Sequence, residues 1–431
     1  MSTDRIDSSN PGTEGASSSA ASSEAVGTGS ATSTHPAQRP IELQDLMDGR
    51  VVPTQLFELP FSNGPRPGGE GADLPEGTQQ FNLQKFRDSL IGALDGNCAG
   101  FQWAIARNGQ YLDADAHGIR RSELDGGPLP LRNSDEINIA SALKPITGMA
   151  VLRACHERNI PVTTLISEFL PTFWKVNATM KDITIEHLLS HKSGLGTINA
   201  STSYEPLRDT WANGFAANQP QVGPAGTGSY DNRNFAIFRI ALPYMVCKPY
   251  MLQLEASAFP EQAIALTTGA LYTTIMRTYV FAPVGEPTSD MVPPPEPDGA
   301  LAYDWPLGTY NGHDMGIWTH KGGGGGWVCS ALTLVKVLAY FRHSTAIVPK
   351  EMRELMVNAA LGWDTLSTKH GTAYNRFGQS GLTNGNRKGT VAADIFLLPK
   401  GFEAAIICNS NLINGASITS AMITAFEDAW E

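Results

Sequence analysis

Cysteine, clustered basic charge and long apolar runs are all scarce in this sequence. Its five cysteines (Cys98, Cys155, Cys247, Cys329 and Cys408) are odd in number and scattered, and none forms a CxxC pair. That spacing excludes a disulfide scaffold or a structural zinc site as the organising device, and the simplest reading is a reducing, cytoplasmic setting. The formal net charge is −11. With no run of Lys and Arg to neutralise phosphates, neither nucleic acid nor an anionic membrane is an expected partner. No continuous apolar run reaches the roughly 20 residues that span a bilayer, which predicts a soluble chain.

Aromatic residues are missing before Phe57, and residues 16–34 are almost wholly Ser, Ala, Gly and Thr. Such a segment buries too little apolar surface to offset its ordering entropy, so residues 1–79 are expected to form a disordered extension. It also lacks the basic start and apolar stretch of a secretory signal. A second Pro/Gly-rich stretch at 64–78 gives way to helical spacing at Phe81, Leu83, Phe86, Leu90 and Leu94. The folded body is therefore placed at 80–431.

Within that body, Phe101–Leu112 alternates apolar and polar residues across Asn108-Gly109 and reads as a hairpin. Residues 141–282 carry mostly helical or loop patterns. Strand patterns return at Thr390–Pro399 and Glu403–Cys408, joined by Lys400-Gly401, before a last helix through Ile423 and Phe426. The expected class is α+β. One antiparallel sheet is built from both ends (about 80–140 and 325–431), flanked by helices, with a mainly helical lobe at about 141–324 inserted between.

Two short motifs carry chemistry. Ser141-Ala-Leu-Lys144 opens a helical pattern, so the lysine one turn on can reach the serine hydroxyl. A serine is a poor nucleophile until a base takes its proton, and a lysine desolvated in a pocket can serve. Tyr230-Asp-Asn232 lies on a loop after Pro224-Ala-Gly226. A tyrosine held beside a lysine can shuttle protons, and an asparagine two residues on can hold a carbonyl or orient the lysine. Taken singly, each motif also fits a bland reading: a capped helix with a solvated lysine, and a packed tyrosine with an Asx turn.

Together they resemble the serine β-lactamase and penicillin-binding-protein superfamily, especially its class C β-lactamase and carboxylesterase branch. Ile139–Thr147 resembles that family's nucleophile segment, Ile185–Leu195 its LLTHTSGL helix and turn, and Pro224–Asn232 its PG…YxN segment. Val280–Gly285, the helix opening at Ser330 and Leu361-Gly-Trp363 match three further elements in order. The resemblance covers about residues 80–431. It implies that Ser141 is acylated, that Lys144 and Tyr230 share the proton transfers, and that Asn232 touches substrate.

The family's third motif, Lys/His-Thr/Ser-Gly on a strand beside the nucleophile, is assigned to Gln379-Ser380-Gly381, with the Leu382 and Ser141 N–H groups as the oxyanion hole. His320-Lys321-Gly322 is set aside because glycines and a helix follow it. A neutral Gln379 where the family has a cation implies neutral esters or amides in preference to β-lactams or peptides with a free carboxylate. Asp231 is expected to face outward as a solvated charge. Residues 241–263, and Tyr303, Trp305 and Tyr310 within 286–320, are weighed as walls of a hydrophobic pocket against plain packing or oligomer contact.

Other signals are weaker. His187 and His191 have the spacing of a helical zinc pair, but Leu188 stands where a zinc protease needs glutamate, so no metal and no cofactor are expected. Gly322–Gly326 lacks a following GK[S/T] and reads as a flexible loop. Asn177-Ala-Thr179 and Asn199-Ala-Ser201 are sequons that matter only in a secreted chain. The expected function is a serine hydrolase, an esterase first, acting on a small-molecule ester or amide, with a homo-oligomer possible. Amidase, D-amino-acid peptidase, β-lactamase, acyltransferase and a silent ligand-binding relative are the alternatives.

Overall fold

Asn108 and Gly109 both adopt left-handed φ angles, 51° and 74°. This two-residue turn folds strand β1 (Gly100–Arg107) back on β2 (Gln110–Arg121). The primed turn matches the right-handed twist of its strands, which is why this dipeptide is readable from sequence. The computed structural model describes Gln44 and residues 80–196, 201–215, 229–295, 299–319 and 322–431. The extension expected over 1–79 therefore lies, Gln44 apart, outside the described residues.

After β3 (Leu129–Pro130) and β4 (Ile137–Asn138) the chain leaves the sheet. After β5 (Val328–Cys329) it returns to the main sheet through β6 (Asp364–Thr368), β7 (Gly371–Asn384), β8 (Arg387–Leu398) and β9 (Phe402–Cys408). The main sheet has the order β3-β2-β1-β9-β8-β7-β6, with every described pairing antiparallel. N-terminal and C-terminal strands meet at β1–β9, so both sequence ends build one sheet, as the strand patterns predict. β4 and β5 form a separate two-stranded ribbon.

Both faces of the central strands are covered. On β1, Phe101, Trp103 and Ile105 pack on one side with Phe402, Ala404 and Ile406 of β9. Ala104 and Ala106 face the other side with Ala405 and Ile407. The period-2 alternation thus feeds two cores. The first is closed by α1 (Leu83–Leu94), whose Phe86, Leu90 and Leu94 are fully buried. At about 1.5–3 kcal/mol for each large side chain removed from water, that single stripe anchors the helix.

The second core holds α2 (Leu143–Glu157), α3 (Ile185–Leu189), α4 (Tyr204–Asn213), α5 (Arg233–Ala236), α6 (Phe238–Glu255) and α7 (Pro260–Met276). α8 (Ala331–His343) lies on the sheet beneath them, and α9 (Lys350–Asn358) packs near α2. The last helix, α10 (Ile418–Asp428), joins α1 on the first face. In α2 every residue from Leu143 to Cys155 is buried. It is the central helix of its lobe, which explains why it lacks a one-sided apolar stripe.

Within the stretch 241–263, the first seven residues are packing rather than a pocket wall. Ala241–Cys247 are buried within α6, and Pro243 and Pro249 bend that helix, with Cys247 in a non-helical conformation. By length and composition Arg233–Glu255 could cross a bilayer, but 78% of its most apolar stretch is buried inside the protein, as in a core helix.

Candidate active site

Ser141 is set at the start of α2 by a strained approach. Ile139 N–H donates to Trp327 O at 2.9 Å, and Ala140 N–H to Asn138 Oδ1 at 2.8 Å. Ala140 takes a φ of 46° without being glycine, a conformation that costs about 1 kcal/mol or more and persists where the surroundings enforce it. Ser141 follows in a single 3₁₀ turn and stays partly exposed.

Lys144, one turn on, is fully buried. Its Nζ lies 2.8 Å from Ser141 Oγ, 2.9 Å from Asn232 Oδ1 and 2.6 Å from the Gly324 carbonyl. As an ammonium it donates to all three. As a neutral amine it keeps Asn232 and Gly324 as acceptors and turns its lone pair to the Ser141 hydroxyl. Burial drives its pKa well below the ordinary lysine value, the Arg376 guanidinium pushes it further down, and Asp231 and Asp364 oppose the shift. Both downward causes favour the neutral amine, the form that can take a proton.

Gly324 is a site residue that no motif reveals. Gly322–Gly326 is buried and tightly packed, not a flexible loop. Gly323 has a φ of 90°, and a Cβ there would lie 2.2 Å from Phe235 O. A Cβ on Gly326 would lie 2.4 Å from the Trp318 side chain. Glycine is needed because the backbone itself closes over Lys144.

Tyr230 completes the triad. Its hydroxyl lies 2.6 Å from Ser141 Oγ and donates to Asn232 Oδ1 at 3.0 Å. Asn232 thereby fixes lysine and tyrosine with one oxygen. The His191 ring leans on Tyr230, with centroids 4.8 Å apart, and its Nδ1 accepts from Asn234 Nδ2 at 3.0 Å. Burial, then Arg376 and Lys144, push His191 well below the usual histidine pKa, so it is neutral. His187 instead accepts from Thr184 N–H in a capping box at the start of α3. Asp231 is wholly buried and salt-bridged to Arg233 at 2.8 Å, which corrects its expected solvated position.

The assignment on β7 also moves. The glycine that meets Ser141 is Gly378, where a Cβ would lie 2.4 Å from Ser141 N and 2.5 Å from Ala142 N. A Cβ on Gly381 would only approach Thr390 Oγ1, at 3.2 Å. Gln379-Ser380-Gly381 and Leu382 run on along β8, opposite Ala392–Gly389, and Gln379 is exposed. By strand alternation the Gln379 side chain leaves from the face opposite Gly378 and Arg376. The pattern beside Ser141 is therefore Arg376-Phe377-Gly378. Its cation is present: Arg376 is buried, its guanidinium carbon 4.7 Å from the Tyr230 ring centroid. The sequence signal for it is a cation-x-glycine pattern three residues upstream, which composition alone ranks below Ser380-Gly381.

Of the two readings weighed for the aromatic residues, the structure favours packing for Tyr303 and Trp305. The Tyr303 side chain is buried, its hydroxyl accepting from Ser122 N–H at 2.8 Å and donating to Asp125. Trp305 donates from its indole to Gly96 O at 3.2 Å and belongs with Tyr303 to a small cluster around Ala99 and Leu301. Tyr310 is exposed beneath Lys388. Tyr303 and Trp305 thus brace the β1–β2 end of the sheet. Pro224-Ala-Gly226, His320-Lys321 and Asn199 lie outside the described residues.

Residues 82–243 match the family model named Beta-lactamase. A stretch of 94 residues, 21% of the chain, is 34% identical to Esterase EstB of Burkholderia gladioli and spans 23% of that protein's length. Among solved structures, the octameric penicillin-binding protein homologue from Pyrococcus abyssi superposes with a TM-score of 0.58 at 16% identity, covering 80% of this chain and 76% of that one. The class C beta lactamase from Rhodobacter sphaeroides gives 0.55 at 15%, covering 79% and 99%. The D-amino acid amidase from Ochrobactrum anthropi gives 0.57 at 15%, covering 80% and 98%. At these identities the structural matches speak to fold.

Proposed function

We propose that this chain, whose residues 82–243 match the family model named Beta-lactamase, is a serine hydrolase cleaving a small ester through an acyl-enzyme on Ser141. The observation that carries the reading is the position of Ser141 Oγ between Lys144 Nζ, at 2.8 Å, and Tyr230 OH, at 2.6 Å. A nucleophile within hydrogen-bond reach of a desolvated base and a second proton carrier is the arrangement acyl transfer requires.

In this reading the neutral Lys144 amine takes the Ser141 proton as Oγ attacks the ester carbonyl. The oxyanion develops against the N–H of Ser141 at the helix start and that of Gln379, the residue after Gly378. Each such donor is worth roughly 10²–10³ in rate. The C–O bond to the alcohol then breaks. The Tyr230 hydroxyl gives its proton to the departing alkoxide and is refilled from Lys144. Water attacks the acyl carbon, its proton passes to the tyrosine and lysine pair, and Ser141 Oγ is released with a proton regained. Asn232 holds both carriers in place throughout.

An ester is favoured over an amide because the curated relative at 34% identity is an esterase. The test is mass spectrometry of the full chain after incubation with a fluorophosphonate, beside turnover of p-nitrophenyl butyrate. The expected result is one phosphonyl group on the Ser141 peptide, loss of turnover, and neither label nor activity in Ser141→Ala. Turnover with no adduct on Ser141 would overturn the reading.

A further inference from the structure

Arg376 lies two residues before Gly378 on β7, and alternation sends its side chain from the face that meets Ser141. A guanidinium in that place is a ready receptor for a carboxylate, with donors in a fixed fork. In this chain one arm of that fork, Nη1, is already engaged by an internal carboxylate. Nη1 of Arg376 donates to both oxygens of Asp364, at 3.1 Å each. Asp364 opens β6 opposite Asn375, the last described pair before that edge of β7 is left uncovered beside Ser141. Its carboxylate stands at that edge, with the side chain 57% exposed while that of Arg376 is 4% exposed.

We infer that Asp364 is an internal counter-ion that occupies Arg376, so that the Ser141 site takes neutral acyl groups and discriminates against acyl groups ending in a carboxylate. Two effects act in the same direction. A substrate carboxylate must displace Asp364 from the guanidinium, and the displaced carboxylate then repels it at short range. Lys144 offers no substitute, because it is fully buried and its polar contacts are taken by Ser141, Asn232 and Gly324. The chain's charge of −11 adds a weaker, screened repulsion.

This inference rests on the ester-hydrolase reading above, and its test separates the two. The full chain is assayed with p-nitrophenyl butyrate and mono-p-nitrophenyl succinate, acyl groups of equal length that differ by a terminal carboxylate. Wild type is expected to favour the butyrate in kcat/KM by about tenfold or more, and Asp364→Asn to narrow that ratio by about tenfold. Asp364→Glu is expected to retain the wild-type ratio, and Asp364→Asn combined with Arg376→Met to lose the gain. Dividing one ester by the other removes any change in the shared proton-transfer groups. Equal rates for the two esters in wild type overturn the inference and leave ester hydrolysis standing. So does an unchanged ratio in Asp364→Asn, or in Asp364→Ser should the first variant melt early. Turnover of neither ester overturns the proposed function and the inference with it.

Discussion

The guanidinium carbon of Arg376 lies 4.7 Å from the centroid of the Tyr230 ring. Lys144 Nζ lies 4.9 Å from the same centroid, so two basic groups flank the phenol that touches Ser141. Like charges disfavour each other, and the buried lysine gives way first because its amine can lose a proton while a guanidinium holds its own.

This arrangement predicts opposite movements of the pH–rate profile. With Lys144 as the proposed base, acting deprotonated, kcat/KM is expected to rise with pH through its pKa. Arg376 lowers that pKa and Asp364 raises it. Arg376→Gln is therefore expected to move the acidic limb to higher pH, and Asp364→Asn to lower pH, in profiles of p-nitrophenyl butyrate hydrolysis. Two limbs moving the same way, or neither moving, would contradict the electrostatic role.

Gly378→Ala is expected to reduce kcat/KM by about a hundredfold or more. Its methyl would lie 2.4 Å from Ser141 N, and displacing a nucleophile and its oxyanion donor by about 1 Å has that scale of effect. Gly381→Ala, which meets only Thr390 Oγ1 at 3.2 Å, is expected to stay within about threefold of wild type. Steady-state kinetics on the two variants, with melting curves, distinguish the two glycines. A large loss in Gly381→Ala with Gly378→Ala near wild type would restore Gln379-Ser380-Gly381 as the motif beside the nucleophile.

Trp305→Ala is expected to lower stability by about 1–2 kcal/mol through the lost indole bond to Gly96 O and its packing. Relative rates across acetate, butyrate and octanoate esters should not change. A reordered chain-length preference would put Trp305 back at the acyl pocket.

Asp394 predicts a pH-dependent stability. It sits on β8, fully buried against β7 and the first turn of α10, where Asn375 Nδ2 donates to both its oxygens at 3.1 and 3.0 Å and Thr419 donates to one. Burial lifts its pKa to about 7 from the usual 3.8. The native state therefore holds a proton that the unfolded chain gives up. The resulting stabilisation is complete below about pH 4 and is lost as pH rises through 7, an amount of about 4 kcal/mol at most. Asp394→Asn should consequently melt increasingly above wild type as pH rises from about 5 to 9. A constant difference across that range would refute the assignment.

Much of the scaffold was legible because local chemistry specified it. Asn108-Gly109 required a primed turn, Lys400-Gly401 supplied another at φ 59° and 82°, and the strand patterns at Phe101–Leu112 and Glu403–Cys408 fall on β1, β2 and β9. Ser141, Lys144, Tyr230 and Asn232 were legible as two short motifs, and the structure brings them within hydrogen-bond distance. What escaped depends on contacts distant in sequence. Gly324 reaches Lys144 across 180 positions, and only the crossing of β7 over Ser141 separates Gly378 from Gly381. Asp231 read as a loop charge because its neighbour Arg233 neutralises it only once both are folded. Tyr303 and Trp305 looked like a pocket because aromatic composition does not say which end of the sheet a loop braces.

The central claim is that an acyl group resides on Ser141 during turnover. Rapid mixing of the full chain with p-nitrophenyl butyrate, followed by acid quench and peptide mass analysis, tests it directly. The account predicts a burst of p-nitrophenol of about one per chain, a butyryl group on the Ser141 peptide, and a loss of about ten-thousandfold or more in kcat/KM for Ser141→Ala. Undiminished turnover by Ser141→Ala, or a butyryl group found on another residue, would contradict it.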